Sequence, residues 1–242
     1  MERRLYYVAV VLRFGWFAPW FFVGCRRLLD GGVQEDELMA FDIVAATGNR
    51  HKIEEMRAIL APLGITVTGA LEAGGMPAVE EDGATFAENA IKKALAVAKA
   101  RQRVVLADDS GLEVMALGGH PGVHSARYAG EGGNDGRNLA KLLREMEGVS
   151  ERRARFVAVI AVAGPDGLLG TAEGEVRGMI AAEARGDGGF GYDPAFVPDG
   201  FDMTFGELPP EVKNKLSHRA NALLAAVKAG LFQKLERGGE TL

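Results

Sequence analysis

The stretch FDIVAATGNRHKIEEMRAIL, Phe41 to Leu60, decides the fold. Phe41–Ala46 is a short apolar run ended by Thr47-Gly48-Asn49, which reads as a buried strand stopped by a tight turn. The residues that follow put Ile53, Met56, Ile59 and Leu60 at helical spacing. Pro62 and Gly64 stop that helix. Strand, turn and helix in immediate succession open an α/β unit.

Working outward, Ile65–Thr68 reads as a second short strand, followed by an acidic loop, Glu80-Glu81-Asp82-Gly83. Thr85-Phe86-Ala87-Glu88 is a capping box with Thr85 as N-cap, and the alanine-rich helix it opens is predicted to reach about Arg101. Val104–Ala107 is predicted as a buried strand that ends at Asp108-Asp109-Ser110-Gly111. A Gly/His/Pro-rich loop then covers Gly118 to Gly133, and Asn138–Met146 reads as a helix. Arg155–Ala163 and Leu168–Arg177 flank Gly164-Pro165-Asp166-Gly167, a hairpin signal. A glycine-dense loop runs from Arg185 to Pro194. Pro209 and Pro210 suit the first turn of a last, interrupted helix that continues to about Leu235. Early strand–helix alternation with a later hairpin predicts an α/β fold, a mixed central sheet with flanking helices. The loops with unusual chemistry follow strands, where open α/β sheets bind ligands.

The composition is that of a folded globular chain, 48% hydrophobic and 25% charged over 242 residues. A formal charge of −5 argues against DNA or RNA as a partner, while a local basic pocket can still hold a small anion. One cysteine, Cys25, excludes an intramolecular disulfide and a multi-cysteine zinc site, and fits a reducing cytoplasm. The working domain is expected over residues 39–236, with 237–242 as a tail. Residues 1–38 stand apart. Leu5 to Cys25 is long and apolar enough for a tilted membrane span, yet Arg13, Gly15 and Pro19 interrupt it. Three readings stay open: a misassigned start with Met39 as the true one, a membrane anchor, or an added structural element. The first is preferred, and no membrane partner is expected.

Four groups of residues carry chemistry. Thr47-Gly48-Asn49-Arg50-His51-Lys52 lies between strand and helix, so free backbone N–H groups and the Lys52 charge make an anion site. The plain alternative is an Asn N-cap with a solvated lysine. Glu80 and Glu81, with Asp108 and Asp109, are acids that need neutralising if buried, and Mg2+ takes such carboxylates together with phosphate oxygens. The plain alternative is helix-start acids and a turn. Side-chain alternation predicts that one acid of each pair points inward. Gly188-Gly189-Phe190-Gly191-Tyr192-Asp193-Pro194 lets the backbone approach a ligand and gives Phe190 a flat base to stack on, or else it is a loop with a buried aromatic. Lys213, His218 and Arg219 can donate to a base carbonyl or a phosphate, or else form a solvated basic face.

From Phe41 to Leu231 the chain resembles the inosine triphosphate pyrophosphatase (dITP/XTP pyrophosphatase) family. The resemblance rests on TGNRHK, VEEDGATFAENAIKKA, LADDSGLEV, GHPGVHSARYAG, GGFGYDPAF and EVKNKLSHRANAL, in that order. It implies two lobes around a nucleotide cleft, a cytoplasmic homodimer, and Mg2+-dependent hydrolysis of non-standard purine nucleoside triphosphates to monophosphate and pyrophosphate. By the same resemblance Glu80 and Asp109 are the metal acids, and Asp109 is also the general base. Ser110 touches substrate and Lys93 adds charge near the phosphates. Thr47 to Lys52 grip the triphosphate, and Phe190, Gly191, Tyr192, Asp193, Lys213, His218 and Arg219 form the nucleoside pocket. Gly206 and Val212 depart from the family, which more often shows alanine and an acid there. A Maf-type pyrophosphatase should lack the GGFGYDP and SHR blocks, and a non-hydrolysing nucleotide sensor should lose Glu80 or Asp109.

Overall fold

The computed structural model describes residues 41–232 in full, together with the backbone of 7–12, 21–29 and 32–33. The chain divides into two compact units, Met1–Phe41 and Asp42–Leu242. In the first, β1 (Tyr7–Leu12), β2 (Phe21–Leu29) and β3 (Gly32–Val33) form an antiparallel sheet in the order β1-β2-β3. The apolar run near the amino terminus is therefore strand where it is described. No described helix is long and apolar enough to cross a membrane. The expected tail at 237–242 and the helix end near Leu235 lie outside the described residues.

The second unit carries a six-stranded mixed sheet. Its strands are β4 (Phe41–Ala45), β5 (Ile65–Gly69), β6 (Val105–Val114), β7 (Arg153–Gly164), β8 (Gly167–Ile180) and β9 (Phe196–Pro198). Their order is β5-β4-β6-β7-β8-β9; β4 and β6 run parallel, and the β6–β7, β7–β8 and β8–β9 pairs are antiparallel. The helices are α1 (Arg50–Leu60), α2 (Phe86–Arg101), α3 (Asp135–Glu145), α4 (Pro210–Leu216) and α5 (His218–Lys228). Local signals set their ends. Asn49 caps α1, and Gly64 takes the left-handed conformation at φ 75° that ends the turn after it. The Thr85 hydroxyl accepts from Glu88 N, while the Glu88 carboxylate accepts from Ala84 N. Proline at its first position starts α4, and Ser217 divides α4 from α5, capping the latter.

One expectation is corrected. Asp108 and Asp109 do not sit at a strand end; β6 continues through them to Val114. The partner strand ends instead. β4 pairs only with Val105 and Leu106, so one edge of β6 is free of a strand from Ala107 onward. Nor does only one of the two acids face inward. They point to opposite faces, as alternation requires, but both faces are covered and both side chains are buried. Two apolar clusters lie at the two ends of β6: Val105 and Ala107 join the α2 core, while Leu112 and Val114 join a core with Leu142, Phe156, Phe196 and Phe205. The polar middle of β6 lies between them.

On the other face α5 lies directly on β8. A Cβ at Gly174 would overlap backbone atoms of Ala222 and His218, so glycine is what allows this approach. Gly174→Ala should lower stability by about 3 kcal/mol through overpacking, measured as a shift of the urea midpoint; an unchanged midpoint would contradict the packing described.

Candidate active site

The middle of β6 organises two charged assemblies, one on each face. On the α5 face, Asp108 is fully buried and accepts from Arg219 Nε at 2.9 Å, Lys52 Nζ at 2.5 Å and Ser110 Oγ at 2.9 Å. Arg219 also pairs with Glu55 and donates to Ser110 Oγ at 3.0 Å. Glu55 bonds Lys213 at 2.7 Å, and Lys213 bonds Asp193 at 2.5 Å. Acid and base thus alternate from Lys52 through Asp108, Arg219, Glu55 and Lys213 to Asp193. Burial alone would raise the Asp108 carboxyl, but Arg219 and Lys52 outweigh it and hold it far below the usual range. Glu55 is lowered in the same way, Arg219 and Lys213 overcoming burial. Asp193 is raised, because burial exceeds the help from Lys213.

On the α2 face, Asp109 Oδ1 accepts from Lys93 Nζ at 2.7 Å and Oδ2 from Asn89 Nδ2 at 3.4 Å. Lys93 also donates to Asp108 O at 3.2 Å and to Glu81 Oε2 at 3.3 Å. Burial raises the Asp109 carboxyl, with Lys93 opposing. Asp109 and Glu81 share one cation, so two hard oxygen ligands already converge on a positive charge. That donor chemistry fits Mg2+, which binds one or two carboxylates and takes its other ligands from water and phosphate. Among the described residues no three His, Cys, Asp or Glu side chains gather into a complete metal cluster.

A solvent-open cleft is lined by Asn49, Lys52, Ser110, Phe190, Lys213 and His218, among others. At its phosphate-like end Asn49 is a true N-cap, accepting from Lys52 N, while Thr47 Oγ1 accepts from Asn49 N. The backbone N–H groups of Gly48, Arg50 and His51 have no partner among the described residues. They make an anion site at the start of α1. The Arg50 side chain turns away to pair with Glu54 and does not line the cleft.

Beside the start of α1, Phe190 stacks on His51 with centroids 5.3 Å apart and 13° between the planes, and Lys213 Nζ lies 4.8 Å from the Phe190 centroid. The glycine loop is fixed at several points. Asp193 Oδ2 accepts from Phe190 N, Asp135 Oδ2 from Gly191 N, and Ser125 O from the Tyr192 hydroxyl. His218 stacks on Phe156 at 4.8 Å, and its buried Nδ1 has no partner among the described residues. Arg219, which the sequence suggested as a donor to ligand, bonds Asp108, Glu55 and Ser110 and lies 5.7 Å from the Phe190 centroid. Glu80 is exposed and makes no hydrogen bond or ion pair among the described residues, whereas its neighbour Glu81 reaches Lys93. Sequence reasoning passed over Glu55 and Asn89. Glu55 lies one turn after Lys52 on the same helix, and Asn89 one turn before Lys93. Both spacings were there to be used. Of the two departures, Gly206 packs against the Arg185 and Gly186 carbonyls, and Val212 packs against the apolar core, so Lys213 keeps its place on α4.

A family model described as the Ham1 family matches residues 43–229. The dITP/XTP pyrophosphatase of Desulforamulus reducens is 52% identical over 188 residues, which are 77% of this chain and 94% of that relative. That of Bacillus subtilis is 50% identical over 184 residues, 75% of this chain and 93% of the relative. Among solved structures, the Ham1 protein of Staphylococcus aureus is 46% identical with a TM-score of 0.68, covering 78% of this chain and 98% of that one. The HAM1 protein of Coxiella burnetii is 41% identical with a TM-score of 0.69 over the same shares.

Burial, with Arg219 adding to it, pushes the His218 imidazole well below its ordinary 6.5. The unfolded chain therefore takes up a proton that the folded one refuses. The stability this contributes is complete above 6.5 and is lost as pH falls toward the folded value. Between about pH 7.5 and about pH 5.5 the loss should be on the order of 1 kcal/mol, and His218→Phe should abolish that share. Urea midpoints of the two proteins at both pH values check this; equal pH dependence would refute it.

Proposed function

The chain belongs to the Ham1 family, and on that premise we propose that it is a nucleoside-triphosphate pyrophosphatase that clears non-standard purine nucleotides such as ITP, dITP and XTP. The observation that carries the reading is the position of Lys52. It lines the cleft beside three backbone N–H groups that have no partner among the described residues, and it binds Asp108. A triphosphate laid along the start of α1 meets cationic and N–H donors, and the acids of β6 stand at its flank.

The reaction is hydrolysis of the α–β phosphoanhydride. The oxygen of water forms a bond to the α-phosphorus, the bond to the bridging oxygen breaks, and pyrophosphate leaves with its electron pair. Asp109 accepts the proton of the attacking water. Its raised pKa supports that role, since a more basic carboxylate is a better acceptor. Asp109 with Glu80 or Glu81 would hold Mg2+, which when bound would offset negative charge on the phosphate oxygens. Lys93 keeps Asp109 and the acidic loop together.

The base lies against Phe190. His218 lines the cleft beside Ser110 and Lys213, and a donor in this group would meet the six-carbonyl of hypoxanthine or xanthine. Adenine presents an amino group there and would leave that donor unpaired, a mismatch large enough to select strongly. Arg219 acts by fixing Asp108 and Ser110 around this pocket. The cytoplasmic homodimer implied by the family resemblance belongs to the same proposal.

Pyrophosphate release from ITP, XTP, dITP, GTP, ATP and dTTP, with Mg2+ and with EDTA, tests it. The expected result is fast, Mg2+-dependent cleavage of ITP, XTP and dITP with ATP slow. Asp109→Asn should lower kcat by about a thousandfold or more while the fold is kept. A preference for dTTP, or near-normal turnover in Asp109→Asn, would overturn the assignment.

A further inference from the structure

The acidic loop has no regular secondary structure from Met76 to Ala84, yet its distance from Asp109 decides whether carboxylates from the two segments can act on one cation. What holds that distance is α2. Its buried face carries Phe86, Asn89, Ala90, Lys93, Ala94 and Val97 at helical spacing, so two polar side chains one turn apart sit in an otherwise apolar face. They take opposite oxygens of Asp109, Lys93 on Oδ1 and Asn89 on Oδ2. Both also reach the loop. Lys93 meets Glu81 Oε2, while Asn89 accepts from Gly83 N at 2.8 Å and donates to Gly83 O at 3.5 Å.

The amide oxygen of Asn89 therefore holds Gly83 N by a short bond, while its nitrogen makes longer contacts to Gly83 O and Asp109 Oδ2. Asn89 is only 2% exposed. The approach is so close that a Cβ at Gly83 would stand 2.6 Å from Asn89 Oδ1 and 2.9 Å from the Glu88 side chain. Glycine at 83 and asparagine at 89 are two halves of one contact. The outer end of the loop is tied less firmly, through Lys92 to Asp82 and through Arg127 to Glu81 O, all with exposed side chains.

We propose that Asn89 is a positioning residue, which with Gly83 sets the spacing between the acidic loop and Asp109 and thereby the affinity of the site for a divalent cation. This rests on the functional reading above. Lys93 reaches the backbone beside Asp109 through Asp108 O, but on the loop it holds only the Glu81 side chain, whereas Asn89 holds the loop backbone at Gly83. Groups that orient metal ligands typically alter metal affinity or activity by about 10- to 100-fold when removed.

The test uses the full chain with Asn89→Ala, Gly83→Ala and the double variant. Mn2+ binding to nucleotide-free protein, followed by the loss of free-ion paramagnetic signal, is measured beside pyrophosphate release from ITP across a Mg2+ series. Each single variant should weaken Mn2+ binding about tenfold and raise the Mg2+ needed for half-maximal rate by a similar factor. KM for the nucleotide at saturating Mg2+ should stay within about twofold, and the double variant should be no worse than Asn89→Ala, since both changes break one contact. Gly83→Ala keeps the test decisive if Asn89→Ala does not fold. Unchanged Mn2+ affinity and Mg2+ dependence in a folded variant would overturn the proposal. Strictly additive losses in the double variant would overturn the single-contact account. If the unsubstituted protein bound Mn2+ but cleaved no purine triphosphate, the functional reading would fail, and the Mn2+ measurement would still decide the role of Asn89.

Discussion

Two adjacent aspartates buried in one strand are the constraint around which the rest of this structure is arranged. Each carboxylate taken from water costs several kcal/mol unless a cation meets it with good geometry. Alternation along β6 sends Asp108 and Asp109 to opposite faces, so each carboxylate takes its hydrogen-bonded cations from its own side. The fold answers with two helices. α5 brings Arg219 to one face, and α2 brings Lys93 to the other. The close seating of α5 on Gly174 and the apolar seating of α2 on Val105 and Ala107 are what hold those cations to the strand.

Such an arrangement is a poor way to gain stability. Well-packed apolar side chains of similar volume would serve a core as well or better. The alternating chain from Lys52 to Asp193 instead joins four separate segments: α1, β6, the glycine loop and the α4–α5 pair. It fixes the relative positions of the anion site at the start of α1 and the ring of Phe190, which α1 also contacts through His51. Geometry is what the charges provide, and a buried charged network beside a cleft is the pattern expected of a working site.

Much of this was legible in the sequence because it follows local rules. The Thr47–Asn49 turn, the Thr85 capping box, the hairpin at Pro165-Asp166 and the proline start of α4 each sit where turn and cap chemistry put them. What could not be read was non-local. The length of β6 depends on β7, which pairs along its whole course, whereas Asp108-Asp109-Ser110-Gly111 taken alone resembles a loop. The short strand β9 exists only because Met179 and Ile180 offer it an edge. Arg219 read as a donor for ligand because nothing local reveals that Asp108 and Glu55, 111 and 164 residues away, claim its nitrogens. Glu81 rather than Glu80 reaches Lys93 for the same kind of reason, since the course of an irregular loop is set by its contacts and not by its composition.

The two faces of β6 differ in charge, and the difference divides their work. On the α5 side the chain of three cations and three acids is balanced, so it adds little net field to the cleft, and the N–H groups at the start of α1 are what remains there for an anion. On the α2 side Asp109 and Glu81 face a single Lys93, leaving an excess of negative charge beside an acidic loop. A polyanionic ligand would be repelled from that side unless a further cation came with it. A balanced wall and an acidic wall thus stand on opposite faces of one strand. Local N–H groups at the start of α1 are how a chain of net charge −5 can still offer an anion a site.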